Sequence, residues 1–287
     1  MNYIFSFILL IFTIPHMHVH AQHKPAYQLF NKKNKSTSYK KLIKKCEKAD
    51  IVLFGELHNN PIGHWLQLEL TRDLKENRSL MLGFEMIETD NQAALADYLS
   101  GKIDATQLDS LARLWNNYKT DYAPIVDFAK EQQIKVIATN VPRRYARIVF
   151  RKGIEELETL PQEDKQWIAP LPMPFDGNLP GYKAMMDMGM GGHAGENFPK
   201  AQAIKDATMA HFILKNYQEG ELFIHFNGSY HSDNYEGILW YLQQEQPNLK
   251  VVTISSVYQE AIDDLLEENK GKADFTLAVP ERMTKTF

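Results

Sequence analysis

Two copies of a four-residue pattern, Gly-x-x-His, stand far apart in the chain. They are Gly55-Glu56-Leu57-His58 in DIVLFGELHNN and Gly228-Ser229-Tyr230-His231 in ELFIHFNGSYHSDN. Each follows a short apolar run that reads as a buried strand. A glycine there lets the backbone turn sharply, which presents the histidine at the strand's carboxyl end. Glu85 ends a third apolar run, in Gly83-Phe84-Glu85. His58, Glu85 and His231 are residue types that take a divalent metal such as zinc, leaving a position open for water. Glu56 or His64 would supply a further ligand. A buried Glu85 needs a partner. Arg143, in Val141-Pro142-Arg143-Arg144, either fills that role or binds an anionic ligand at a helix start. For a single histidine of this kind, an imidazole hydrogen-bonded at a helix start is the simpler account; the pair together with Glu85 favours a site. His225, between Ile224 and Phe226, reads as a satisfied core residue, and His211, within a long helix, as structural.

A second stretch with chemical character spans residues 169–196, APLPMPFDGNLPGYKAMMDMGMGGHAGE. It is too long and too apolar for a plain connector, and long loops in compact domains are usually lids or binding loops. Met185, Met186, Met188 and Met190 with Tyr182 make an adaptable surface for a flat apolar ligand. A tyrosinate at Tyr182 would be a hard oxygen donor to ferric haem iron. Thioethers beside His193 also suit Cu(I), a weaker reading. The plain alternative is a helical hairpin that uses methionine as filler.

These residues must be positioned by regular elements. Apolar runs predict strands at Ile51–Phe54, Leu80–Phe84, Ile134–Ala138, Leu222–Phe226, Val251–Ser255 and Phe275–Val279. Helices are predicted over 39–48, 62–76, 90–99, 105–116, 122–132, 199–218 and 236–244, with another between Pro142 and Gly153. Strands alternating with helices give an α/β fold, a mostly parallel β-sheet flanked by helices on both faces, with a helical and loop insertion over about 155–196. Right-handed crossovers bring every strand-to-helix loop to one sheet edge. That edge gathers Glu56, His58, Glu85, Asn140, Arg143, Asn227 and His231.

The 287 residues are 44% hydrophobic and 24% charged, an ordinary globular balance. Net charge is −4 and the basic clusters are short, so nucleic acid is not an expected partner. Residues 1–21 contain no Lys, Arg, Asp or Glu and run apolar from Tyr3 to Pro15. With Val19-His20-Ala21 they read as a signal peptide cleaved before Gln22. No cysteine lies near that cut, so there is no lipobox residue. The sole cysteine, Cys46, leaves no internal disulfide and no Cys-rich metal site. The expected organisation is a signal peptide (1–21), a flexible segment (22–37) and one domain (38–287).

The segments FGELHNNPIGHWLQLEL, GFEMI, YAPIVDFAKEQQIKVIATNVPRR, AQAIKDATMAHFI and NGSYHSDNYEGILWYL together resemble the ChaN-like haem-binding proteins. These share a superfamily with Tiki metalloproteases, TraB proteins and erythromycin esterases. The resemblance implies a superfamily signature at His58, Glu85 and His231, with Arg143 as its arginine. It also implies haem held through a tyrosine supported by histidine. Tyr182 with His193, backed by Met186 and Met190, is the transfer. Haem stacked in a homodimer, an exported protein in the periplasm or at the outer membrane, and an outer-membrane haem receptor as partner are further implications. Two functions follow: a haem-binding protein of iron uptake or storage, and a metal-dependent hydrolase with Glu56 as general base.

Overall fold

The structure, a computed structural model, describes residues 24–187 and 195–287. The expected signal peptide, Met190 and His193 lie outside the described residues.

One eight-stranded sheet organises the chain. Its strands are β1 (Gln28–Asn31), β2 (Ser36–Thr37), β3 (Ile51–Glu56), β4 (Leu80–Glu88), β5 (Lys135–Asn140), β6 (Leu222–Gly228), β7 (Val251–Gln259) and β8 (Phe275–Pro280). The spatial order is β2-β1-β8-β7-β3-β6-β4-β5. From β8 to β5 every pairing is parallel, while β1 runs antiparallel to both β2 and β8. Each of the six runs read as strands in the sequence is a strand of the sheet. The segment expected to be flexible differs. Residues 28–31 pair along β8 and bury Leu29 and Phe30. An alternation of only two apolar residues is too short to show in sequence, and the segment orders because it covers an otherwise open edge.

The described helices are α1 (Tyr39–Cys46), α2 (Pro61–Lys75), α3 (Gln92–Leu99), α4 (Ala105–Leu111), α5 (Ala123–Glu131), α6 (Arg143–Lys152), α7 (Gln162–Lys165), α8 (Pro180–Asp187), α9 (Asn197–Asn216) and α10 (Ile238–Glu245). Local chemistry starts them. Asn60 caps α2 by accepting from the Gly63 N–H at 2.8 Å, and Asp104 with Gln107 closes a capping box on α4. Ser38 occupies the expected cap position of α1, without a side-chain hydrogen bond.

Strand residues alternate between two cores. Val52, Phe54, Leu82, Phe84, Ile224 and Phe226 face one side, with Leu66, Leu70 and Leu74 of α2 and Val126 of α5. Ile51, Leu53, Met81 and Phe223 face the other, with residues of α6, α9 and α10. Apolar side chains on both faces are what a parallel central strand requires. Phe54, Phe226 and Phe84 sit in register across β3, β6 and β4, with ring centroids 6.4 and 4.9 Å apart. This aromatic row fixes the height of the strand ends just beyond it. The chain leaves β3 for a helix on the first face and β6 for a helix on the second. The neighbouring pair β3–β6 is therefore a topological switch point, where open α/β sheets form their ligand crevice.

Candidate functional site

The two Gly-x-x-His turns leave adjacent strands and interlock. A Cβ on Gly55 would lie 2.8 Å from the Ser229 Cα and 2.9 Å from the Ile254 carbonyl oxygen. A Cβ on Gly228 would lie 2.8 Å from His58 Nε2. Neither glycine has positive φ, so sequence reasoning named the right residues for the wrong reason. They are small because each motif presses against the other, not because the backbone needs a conformation only glycine adopts.

Period-two alternation sends the site residues to opposite faces of the sheet. Glu56 follows Val52 and Phe54 toward α2 and α5. There it is fully buried, accepting from Tyr122 OH at 2.7 Å and Gln67 Nε2 at 2.6 Å. Its Oε1 lies 2.8 Å from His58 Nδ1. Burial opposes a charge on His58, but the Glu56 hydrogen bond and the nearby Glu85 carboxylate outweigh it and raise its pKa. The backbone of His58 is fixed too, because its carbonyl accepts from Asn117 Nδ2 at 3.0 Å. With Nδ1 held by Glu56, the imidazole sets Nε2 beside Gly228, and the side chain is 34% exposed.

Glu85 alternates to the other face. Its Oε2 accepts from the Gly228 N–H at 2.6 Å and its Oε1 lies 3.1 Å from His231 Nε2. His231 Nδ1 lies 2.5 Å from Oδ1 of Asp206 on α9. Asp206 Oδ2 in turn accepts from Tyr182 OH at 2.6 Å. Burial would lower the His231 pKa, but the two carboxylates raise it to about 9, so the ring is an imidazolium at neutral pH. Burial would likewise raise Glu85, yet His231, His58 and the Gly228 N–H hold it far below the usual carboxylate range. The result is a buried chain, Tyr182–Asp206–His231–Glu85, beside a second pair, Glu56–His58.

The structure gathers the expected metal set at this edge. His58, Glu85 and His231 do converge, but both nitrogens of His231 are engaged by carboxylates. Among the described residues no group of three or more His, Cys, Asp or Glu side chains is arranged to hold a metal ion. His64, the further candidate, stands behind them. It is buried, with Nε2 3.1 Å from the His58 carbonyl and Nδ1 3.2 Å from Gln67 Oε1, and so braces the residues behind Glu56. His225 is the core residue expected, 2.8 Å from Thr139 Oγ1, with burial pushing it down to about 4.

Above the turns opens a cleft of about 930 Å³, a size suited to a cofactor. One wall is α6, presenting Arg143, Ala146, Arg147 and Phe150; the other is α9, presenting Phe198, Ala201, Gln202 and Lys205. Both sets fall at i, i+3, i+4 and i+7, a single helical stripe. Phe150 and Phe198 meet edge to face at 6.1 Å, which makes one end of the cleft aromatic. Trp115 stands across from them, 4.8 Å from the His58 ring. Arg143 does not pair with Glu85; it lines the cleft, as does Arg147 one turn on.

The described residues of the insertion stand apart from the cleft lining. Tyr182 is 3% exposed, and burial together with Asp206 raises its pKa well beyond the phenol range. It stacks on Phe175 at 5.7 Å and is not among the cleft-lining residues. Met186 is on the surface of α8, also away from the cleft lining. Residues that sequence reasoning missed include Asp206, Trp115, Arg147 and Lys205. Asp206 had a signal, being the acidic residue on the small-residue stripe of Ala203 and Ala210. Arg147 had one in its helical spacing from Arg143. Trp115 and Tyr122 lie where no periodicity points; a π-helical turn over Tyr118–Tyr122 places the latter.

Comparison with known proteins agrees with this architecture. The family described as "Haem-binding uptake, Tiki superfamily, ChaN" matches residues 42–242. A solved structure described as cofacial heme binding to ChaN of Campylobacter jejuni superposes with a TM-score of 0.67 at 19% identity. It covers 88% of this chain and 96% of that one. A Bacillus cereus protein superposes at 0.52 with 11% identity, covering 89% and 95%. The chloroplastic Protein RETICULATA-RELATED 5 of Arabidopsis thaliana is 24% identical over 204 residues, 66% of this chain; the chain spans only 27% of that relative's length.

Proposed function

We propose a function from one premise: this chain belongs to the haem-binding uptake family ChaN of the Tiki superfamily. It binds haem in the cleft between α6 and α9, above the two Gly-x-x-His turns. The observation that carries the reading is the lining of that cleft, which sets aromatic rings beside the cations of Arg143, Arg147 and Lys205. Haem brings a flat apolar ring, two carboxylates and an iron that accepts an axial donor. The residues present fit that group. Trp115, Phe150, Phe198 and Tyr230 offer ring faces and edges, and Arg143, Arg147 and Lys205 offer cations. His58 is the side chain best placed to reach iron, since it lines the cleft, is 34% exposed, and has Nδ1 fixed by Glu56, which leaves Nε2 as the donor. The raised His58 pKa implies proton competition, so binding weakens as pH falls.

Titration of the mature protein with ferric haem should give a saturable Soret shift at micromolar concentration. His58→Ala should change the spectrum and Tyr182→Phe should leave it nearly intact. A spectrum sensitive only to Tyr182 would return the iron to the tyrosine that the sequence suggested. Absence of saturable binding would sink the haem reading.

The biological role we infer is that of an exported carrier or store in iron uptake. Its support is the apolar leader before Val19-His20-Ala21. Fractionation and amino-terminal sequencing test it; retention of Met1 in the cytoplasmic fraction overturns it. The Campylobacter jejuni relative, described as cofacial, motivates a haem pair in a homodimer. Haem-to-protein ratio and solution mass test that.

A further inference from the structure

Four arginines crowd the mouth of the cleft, and their pairing separates two of them from the rest. A second lobe of about 810 Å³ adjoins the first and shares Trp115, Arg143, Arg147 and Phe287 with it. Arg113 and Arg144 also line this lobe, but they are neutralised. Arg113 pairs with Glu88 at 3.0 Å and with Asp90, and Arg144 lies 2.5 Å from Asp90. Arg143 and Arg147 make no ion pair among the described residues. They sit one helical turn apart, where like charges repel, and beside two further guanidinium groups. A fold gains nothing from that arrangement by itself. Lys205 faces them across the cleft, its Nζ 3.3 Å from Gln202 Oε1. The acidic groups nearest the cleft floor, Glu56 and Glu85, are already held by His58 and His231. Two guanidinium groups are therefore left over, open to the lobe.

Resting on the haem reading, we infer that Arg143 and Arg147 form a dicarboxylate seat, which takes the two propionates of a tetrapyrrole whose ring lies in the adjoining cleft. A guanidinium presents a planar fork of N–H donors that matches a carboxylate in bidentate fashion. Two forks one turn apart match two carboxylates carried on one rigid ring. The seat fixes which edge of the ring enters the second lobe, and it makes the site selective for tetrapyrroles that keep both acid groups. Glu88, shared by both lobes and bound to Arg113, limits the net positive charge and so disfavours larger polyanions.

The test compares protoporphyrin IX with its dimethyl ester, which have the same ring but only the first has free carboxylates. Because both lack iron, the comparison is independent of the axial ligand. The wild-type protein should bind the acid about 10- to 100-fold more tightly than the ester, as expected for charge-assisted hydrogen bonds. Arg143→Gln with Arg147→Gln should lower acid binding to the level of the ester and leave ester binding unchanged. Arg143→Lys with Arg147→Lys, which keeps the charge but not the fork, should retain only part of the preference. Arg151→Gln, on the same helix but outside both linings, should keep all of it. Equal binding of acid and ester by the wild-type protein overturns the seat while haem binding stands. So does a double variant that loses both ligands alike or keeps the full preference. If neither haem nor either porphyrin binds the wild-type protein, the haem reading itself fails and the seat fails with it.

Discussion

Gly55 and Gly228 differ in what a methyl group would strike. At Gly55 the obstacles are backbone, the Ser229 Cα and the Ile254 oxygen, which cannot step aside. At Gly228 the obstacle is the tip of the His58 ring, which can rotate away from Glu56. Gly55→Ala should therefore cost about 2–4 kcal/mol of stability, and Gly228→Ala about 1 kcal/mol. The milder variant should nevertheless disturb haem binding more per unit of stability lost, because its burden falls on His58. Denaturant unfolding with parallel haem titration checks the order, and equal costs would refute the interlock. His231 gives a second prediction at this scale. Its folded pKa of about 9 stands above the ordinary value of 6.5, so its stabilising contribution is complete below about pH 6.5 and is lost as pH rises through 9. Glu85 is shifted the other way, so its contribution is present above its ordinary 4.5 and is lost as pH falls further. Apo-protein stability should thus peak between about pH 5 and 6.5 and decline by on the order of 2–3 kcal/mol toward pH 10. His231→Gln should remove that alkaline decline and lower stability at pH 6 by about 3–5 kcal/mol, since Glu85 and Asp206 are left buried without a cation. An unchanged alkaline limb would show that the imidazolium is not where these carboxylates place it.

Elements join the loop to the site through a few bonds. Tyr182 on α8 donates to Asp206 on α9, and the Gly181 N–H on α8 donates to Glu236, just after the second motif, at 2.7 Å. Tyr182→Phe removes one hydrogen bond to a buried carboxylate and should cost about 1–3 kcal/mol. Hydrogen exchange should quicken first in α8, while β3 and β6 stay protected; uniform loss of protection would mean that α8 is not a separable flap. The same elements show why legibility in the sequence was uneven. The six parallel strands, β3 to β8, carry apolar residues on both faces, so their runs are continuous, and the strand ends carry Glu56, Glu85 and His231 into view. Topology then converges them, which is readable without coordinates. What one sequence could not supply is the pairing of β3 with β6, and hence the contact of each glycine with the other motif. Nor could it rank ligands. Tyr182 has the right type in an unusual loop, but only packing reveals that Asp206 claims its hydroxyl. The lining helices α6 and α9 were both expected, yet their shared stripe emerges only when Phe150 and Phe198 are seen to touch.

At the scale of the whole molecule, the cleft and the antiparallel edge lie in different parts of the sheet. β1 is separated from β3 by β8 and β7. Phe30 on β1 is 1% exposed and packs with Val257, Ile262, Leu265 and Ala278, a small cluster apart from the two main cores. Phe30→Ala leaves a cavity there and should cost about 3–5 kcal/mol. In a domain of this size that corresponds to a fall in Tm of roughly 6–20 °C. Among the described residues, none that lines the cleft belongs to this cluster, so the folded fraction should bind haem with unaltered affinity. Haem at 100 times its Kd should restore about 2.7 kcal/mol of stability to the variant and to the wild-type protein alike, because that gain depends only on ligand concentration and affinity. Paired thermal melts with and without haem measure both quantities. An equal upward shift in the two proteins supports an edge that stabilises the sheet without shaping the cleft. A weaker shift in Phe30→Ala would mean that β1 reaches the site through β8 and β7, and the sheet would then have to be treated as one cooperative body in any account of ligand release.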